Sequence, residues 1–134
     1  FIMISDLESL KKSANIYYLG DDFVIIAGKR AEDNDFISFK VASPNDLWFH
    51  AHGVPGSHVL LRSLTGVEPD KKLMELAASV ALWHSKAKNA GVAPVSMTLA
   101  RNVPKPKGVK AGTVNITKDK TLKVRPGLPE NTTE

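Results

Sequence analysis

The sequence predicts an α+β domain: a mostly antiparallel sheet carrying one main amphipathic helix at about residues 69–90. Three observations lead there. Short runs rich in Val, Ile, Phe and Tyr recur between clusters of Gly, Pro, Asn and Asp, which is the punctuation of strands and turns. A single stretch repeats its apolar residues at helical spacing. No linker divides the 134 residues, so the chain reads as a single domain over 1–134, with its core at about 16–125 and a frayed tail at 126–134.

Taken in order, Ile16–Leu19 and Phe23–Gly28 are β-rich runs around the turn Gly20-Asp21-Asp22, and they read as a hairpin. Ala31–Asp35 is polar and reads as a loop; Phe36–Ala42, with Phe36, Ile37, Phe39 and Val41, reads as a strand. Ser43-Pro44-Asn45-Asp46 is turn chemistry. Leu47–Ala51 is the next strand, followed by the loop Gly53–Ser57 and an extended run at Val59–Arg62. The helix follows: Pro69 suits its first turn, and Leu73, Leu76, Ala77, Val80, Ala81 and Ala87 fall on one face. Lys86 and Lys88 would complement its dipole, and Gly91 would cap it. Val95–Val103, Thr113–Thr117 and Thr121–Val124 complete the strands, the last two joined by Lys118-Asp119-Lys120.

Composition removes several classes of function. With no cysteine there is no disulfide framework, iron–sulfur cluster, thiolate zinc site or Cys nucleophile. Apolar runs such as Phe23–Ala27 stay far below the ~20 residues that span a bilayer. No basic start, apolar centre and small-residue cleavage site combine into a secretion signal, so the expected compartment is the cytoplasm, without membrane contact. The chain opens on Phe1 rather than Met, as a piece of something longer would.

The net charge of +4 is unevenly spread. Up to Leu60 there are 5 basic against 8 acidic residues; from Leu61 onward there are 13 against 6. Between Lys86 and Arg125 ten basic residues face one acid, Asp119. A block of that sign suits a polyanion, although a charge run also serves simply as a solvated face.

Three histidines, His50, His52 and His58, fall within nine residues, close to Asp46. His50 and His52 share one face of a strand, and His58 can return across the loop, a geometry that admits a zinc or iron ion. No fourth ligand is evident, and imidazoles beside Trp48 and Phe49 equally hydrogen-bond backbone or stack on bases; the reading taken is no metal and no cofactor. Ser57 beside His58 suggests a nucleophile, yet neighbours on a strand point to opposite faces. Pro55-Gly56-Ser57 reads better as a phosphate-binding turn with Arg62 beyond it, or as a turn that redirects the chain. Arg101 through Gly112 holds Arg101, Lys105, Lys107 and Lys110 and no acid; its alternating Pro and Lys keep it extended, with point charges suited to phosphate. His84 continues the apolar stripe and reads as a packed, hydrogen-bonded residue, while Trp83 lies outside it, over a sheet edge or against a base.

Gly28-Lys29-Arg30-Ala31-Glu32-Asp33-Asn34-Asp35, Asn45-Asp46-Leu47-Trp48-Phe49-His50, Pro55-Gly56-Ser57-His58-Val59 with Arg62, Trp83–Lys88 and Val103–Gly112 occur in an order that resembles the NFACT-R (NFACT RNA-binding) domain of the RqcH, NEMF and Caliban ribosome quality control proteins. The resemblance runs from about Ile16 to Arg125. It implies RNA binding, to tRNA or large-subunit ribosomal RNA on a ribosome with a stalled nascent chain, and no chemistry by this domain. Domains of the NFACT-N type are its implied partners; here the module is either excised or standalone. The stretch Ala51-His52-Gly53-Val54 departs from the family pattern. On this reading Arg62, Lys86, Lys88, Arg101, Lys105, Lys107 and Lys110 contact phosphates, and His50, Ser57 and His58 line the pocket beside them. Two other classes compete: an RNA phosphodiesterase, metal- or histidine-dependent, using Asp46, His50, His52 and His58, and a ribosome-docking protein–protein module.

Overall fold

A computed structural model of the chain describes residues 4–104, 111 and 116–130. The β-rich runs become β1 (Ala14–Leu19), β2 (Phe23–Gly28), β3 (Leu47–Ala51), β4 (Val59–Ser63), β5 (Ala93–Leu99) and β6 (Lys120–Val124). Every pairing is antiparallel, in the order β1-β2-β4-β3-β5-β6. The fold is α+β, with one main helix, α2 (Lys71–Trp83).

The two-residue period of a strand sends alternate side chains to opposite faces. Phe23, Ile25, Phe49, Val59, Leu61 and Val95 join Ala77, Ala78, Ala81 and Leu82 of α2 in one core. Val24, Ile26, Trp48 and Leu60 point the other way and meet Leu7, Leu10, Ile37 and Val41. Covered on both sides, β2 is buried at all six positions, which explains its uninterrupted apolar sequence. The second cover consists of a 3-10 helix at Ile4–Lys12, a short helix α1 (Ala31–Phe36) and a π-helical turn at Ile37–Val41.

That second layer departs from expectation. Ala31–Asp35 is helical rather than a loop, and Phe36–Val41 is helical where a strand was expected over Phe36–Ala42. Ile37 and Val41 lie four residues apart and both are buried, the spacing of a helix face against the sheet. The 3-10 helix had no counterpart in the sequence reading.

α2 begins where Asp70 Oδ1 accepts the Leu73 N–H, one residue after Pro69. It stops at Trp83, well before residue 90, because tertiary bonds take over. His84 Nε2 pairs with the Tyr17 hydroxyl at 2.7 Å, Ser85 bridges Gly56, and the Lys86 N–H donates to Pro55 O. Lys86 and Lys88 therefore follow the helix rather than closing it. Gly91 takes φ +77° beyond it. β5 ends at Leu99 and a 3-10 turn covers Ala100–Asn102, shortening the strand expected to Val103. The strand expected at Thr113–Thr117 lies mostly outside the described residues; Ile116 and Thr117 are not in a strand. The tail is docked where it is described: the Gly127 N–H donates to Ser79 O and Pro129 is buried.

Candidate nucleic-acid interface

Where β2 leaves the sheet, the chain reverses into α1 through Gly28, Lys29 and Arg30. The loop between β3 and β4 approaches the same point, as does the segment following α2. Asn34 joins the first two: its Oδ1 accepts the His58 N–H at 3.0 Å and its Nδ2 donates to Gly56 O at 3.3 Å. The fit requires glycine twice. A Cβ on Gly28 would run into Asn34 Oδ1, and one on Gly56 would lie 2.6 Å from the Ser85 Cβ.

Between these segments opens a cleft of about 650 Å³, lined by Lys29, Arg30, Asn34, His50, Pro55, Gly56, His84, Ser85, Lys86 and Ala111 among others. Its ionic edge is cationic, from Lys29, Arg30 and Lys86. Asp33 lies beneath Arg30, only 5% exposed, and accepts from Arg30 Nε at 3.0 Å, Arg30 Nη2 at 3.3 Å and the Arg30 backbone N–H at 3.1 Å. The Arg30 guanidinium holds the Asp33 carboxyl below its ordinary range.

The cleft histidines are tied into the fold. His50 stacks on Trp48 and meets His58 edge-on, with ring centroids 5.9 Å and 5.4 Å away. Burial pushes the His50 pKa down, against a smaller upward pull from the backbone at Gly56 and Ala51. His84 is also held low, by burial first and then by Lys88.

Of the residues expected at the interface, His50 and Lys86 line the cleft. Lys88 lies two residues beyond, its Nζ 3.9 Å from the centre of the Trp83 ring, so Trp83 carries a cation. Three others are turned inward. Ser57 Oγ donates to Gly28 O, and His58 is fully buried, its Nδ1 2.7 Å from Ser38 Oγ, which also accepts the Trp48 indole N–H. Arg62 is 7% exposed: its Nε and Nη2 bind the Asp46 carboxylate at 2.7–3.1 Å, and Nη2 also donates to Val41 O. These bonds give Ser57, His58 and Arg62 structural work inside the fold. Arg101 lies at the opposite end of the β3–β5 pair, hydrogen-bonded to Pro44 O and Asn45 Oδ1. Lys105, Lys107 and Lys110 fall outside the described residues; Ala111 lines the cleft.

Pro55-Gly56-Ser57 is explained by its packing: the Ser57 N–H donates to His84 O, and Gly56 admits the chain after α2. Asp46 and His52 are likewise engaged elsewhere. Asp46 serves Arg62, and His52 Nδ1 lies 3.0 Å from Ser96 Oγ. Among the described residues no three His, Asp or Glu side chains form a metal-holding group. Lys29, Arg30, Asn34 and Asp33 were not singled out as site residues from the sequence. The signal available was a Gly-Lys-Arg step leaving a fully apolar strand.

An antiparallel sheet with one main helix and a cation-edged cleft at one end defines an α+β module. The chain belongs to the NFACT-R family, the NFACT protein RNA binding domain, whose family model matches residues 14–118. It is similar to the Rqc2 homolog RqcH of Bacillus subtilis, 39% identical over 102 residues, which is 76% of this chain and 17% of that protein. The Rqc2 homolog RqcH of Streptococcus suis is 38% identical over 111 residues, 81% of this chain and 20% of that protein. A ribosome quality control complex subunit NEMF homolog of Drosophila melanogaster is 34% identical over 73 residues, 54% of this chain and 7% of that protein. Among solved structures, the C-terminal of the fibronectin/fibrinogen-binding protein from Streptococcus suis superposes with a TM-score of 0.79 at 35% identity, covering 86% of this chain and 46% of that one. The chain thus spans about a fifth of the length of its bacterial curated relatives. No helix among the described residues is long and apolar enough to cross a membrane.

Proposed function

We propose that this domain binds structured RNA, either tRNA or large-subunit ribosomal RNA, on ribosomes carrying stalled nascent chains in the cytoplasm. It acts there as a binding module beside domains of the NFACT-N type. The observation that carries the reading is the convergence of Lys29, Arg30 and Lys86 on one cleft, from the β2–α1 junction and from the segment after α2. Phosphate contacts position an RNA without reading its sequence, and lysines act there as point charges. Lys88 lies two residues beyond Lys86, and Arg101, Lys105, Lys107 and Lys110 are the further phosphate contacts this reading proposes. His50, neutral at physiological pH and set among aromatic rings, offers an edge to a base.

The test is fluorescence anisotropy of labelled tRNA and of large-subunit rRNA fragments, titrated with the domain across a salt series. If six phosphates are neutralised, log affinity falls against log salt with a slope of about −5. A flat salt response rejects the proposal. So does tRNA binding that survives replacement of Lys29, Lys86, Lys105, Lys107 and Lys110 by Glu.

A further inference from the structure

Arg30 is the most exposed member of the buried network that closes this end of the sheet. Its side chain is 71% accessible and lines the cleft, while the carboxylate that holds it is almost wholly covered. A guanidinium offers five N–H donors in a planar fork. Asp33 takes the Nε–Nη2 edge and anchors the Arg30 backbone N–H as well. This side-on pairing leaves the terminal edge, formed by Nη1 and the second Nη2 hydrogen, parallel and pointing away from the carboxylate. Two parallel N–H groups match two oxygens of a phosphodiester.

Asp33 is itself fixed. The Ser13 side chain also helps to hold its carboxyl low. The next residue, Asn34, is clamped to the His58 N–H and to Gly56 O. The carboxylate is therefore registered against the same loop that forms the opposite wall of the cleft.

We propose that Arg30 is a bidentate phosphodiester subsite and that Asp33 is its positioning residue, orienting the fork by occupying its other edge. The proposal rests on the RNA-binding reading and deepens it. It makes an unusual demand: an acidic residue strengthens binding to a polyanion. By net charge alone, Asp33→Asn should tighten RNA binding. By positioning, it weakens binding, because the freed arginine must be immobilised by the ligand.

The experiment is a double-mutant cycle in the 134-residue chain, with bulk tRNA as the probe and anisotropy as the readout. Asp33→Asn is expected to weaken binding about threefold to tenfold, the scale of immobilising one rotamer-rich side chain. In an Arg30→Ala background the same substitution has no weakening effect, whereas a general loss of fold would weaken binding in both backgrounds. Arg30→Lys keeps the charge, loses the fork and gives a comparable loss, which holds the proposal to account even where Asp33→Asn folds poorly. Unchanged or tighter binding by Asp33→Asn, an equal loss in both backgrounds, or wild-type affinity in Arg30→Lys overturns it. Salt-dependent tRNA binding that responds to Arg30→Ala but not to Asp33→Asn overturns this inference alone. Absence of salt-dependent binding by the wild-type domain overturns the RNA reading as well.

Discussion

Removing the Arg62 guanidinium should destabilise the domain rather than strip a phosphate contact from it. Nε lies 3.1 Å from both Asp46 oxygens, and Nη2 lies 2.7 Å from Asp46 Oδ2 and 2.7 Å from Val41 O. Both members of the pair are buried, at 7% and 4% exposure. In Arg62→Met the carboxylate keeps the Ser43 N–H at 2.9 Å but loses its counter-charge away from water, and Val41 O loses the guanidinium donor. Breaking a buried pair from one side costs about 3–5 kcal/mol. Against a total stability of about 5–15 kcal/mol, that is a large fraction, and it corresponds to a fall in Tm of roughly 10–20 °C. Urea unfolding followed by circular dichroism should show a lower midpoint at unchanged slope. The double variant Asp46→Leu with Arg62→Met should recover most of the loss, since an apolar pair of similar volume needs no counter-charge. An Arg62→Met domain with the wild-type midpoint but weaker RNA affinity would refute this reasoning and return Arg62 to the phosphate surface.

Two further outcomes follow from the same end of the sheet. Gly56→Ala places a Cβ 2.6 Å from the Ser85 Cβ and 3.2 Å from its Cα, so backbone must give way at a cost of about 1–3 kcal/mol. Thermal melts read that loss, and faster amide exchange at Ser57 and Lys86 locates it, because their N–H groups bond across the strained contact. Acidification is the second perturbation. His50 and His84 are held below their ordinary pKa by burial, so the unfolded chain binds protons more readily than the folded one. The stability they contribute is complete above about pH 6.5 and is lost as pH falls through their lowered folded values. Asp33, held low by Arg30, adds its own loss only below about pH 4. Urea midpoints should therefore drop between about pH 7 and pH 5, and less so in His84→Gln. A midpoint that is flat or rises on acidification in that window contradicts the assignment.

Strands and turns were legible because their signals are local. The hairpin around Gly20-Asp21-Asp22 and the run Leu47–Ala51 fall where alternation and turn residues put them. The second layer was not, since an apolar stretch as short as Phe36–Val41 fits either period, and what settles it is the sheet face it must cover. The end of α2 was misplaced for a related reason. Nothing near Trp83 stops a helix; Tyr17 and Pro55 do, by bonding to the residues that follow. At the candidate site, charge pointed to a basic surface, and Lys86 lines the cleft. Charge also promoted Arg62, because no local pattern shows that Asp46 lies against it. Asp33, the proposed positioning residue, gave no such signal, being an acid buried beneath a basic cleft.

The strand order has a consequence for how the chain assembles. β1 and β2 form a hairpin, β4 adds to β2 with β3 outside it, β5 adds to β3, and β6 adds to β5. After the first hairpin, each later addition extends the same side of the sheet, so a chain emerging from its N-terminus can grow the sheet in one direction without reopening a finished pair. The wall carrying Arg30 and the loop at Gly56 are in hand once β4 has paired. The cleft itself closes only when residues 84–86 arrive behind α2, so in pulse-labelled refolding the amides of Ser57 and Lys86, which bond across that seam, should gain protection after those of the β1–β2 pair.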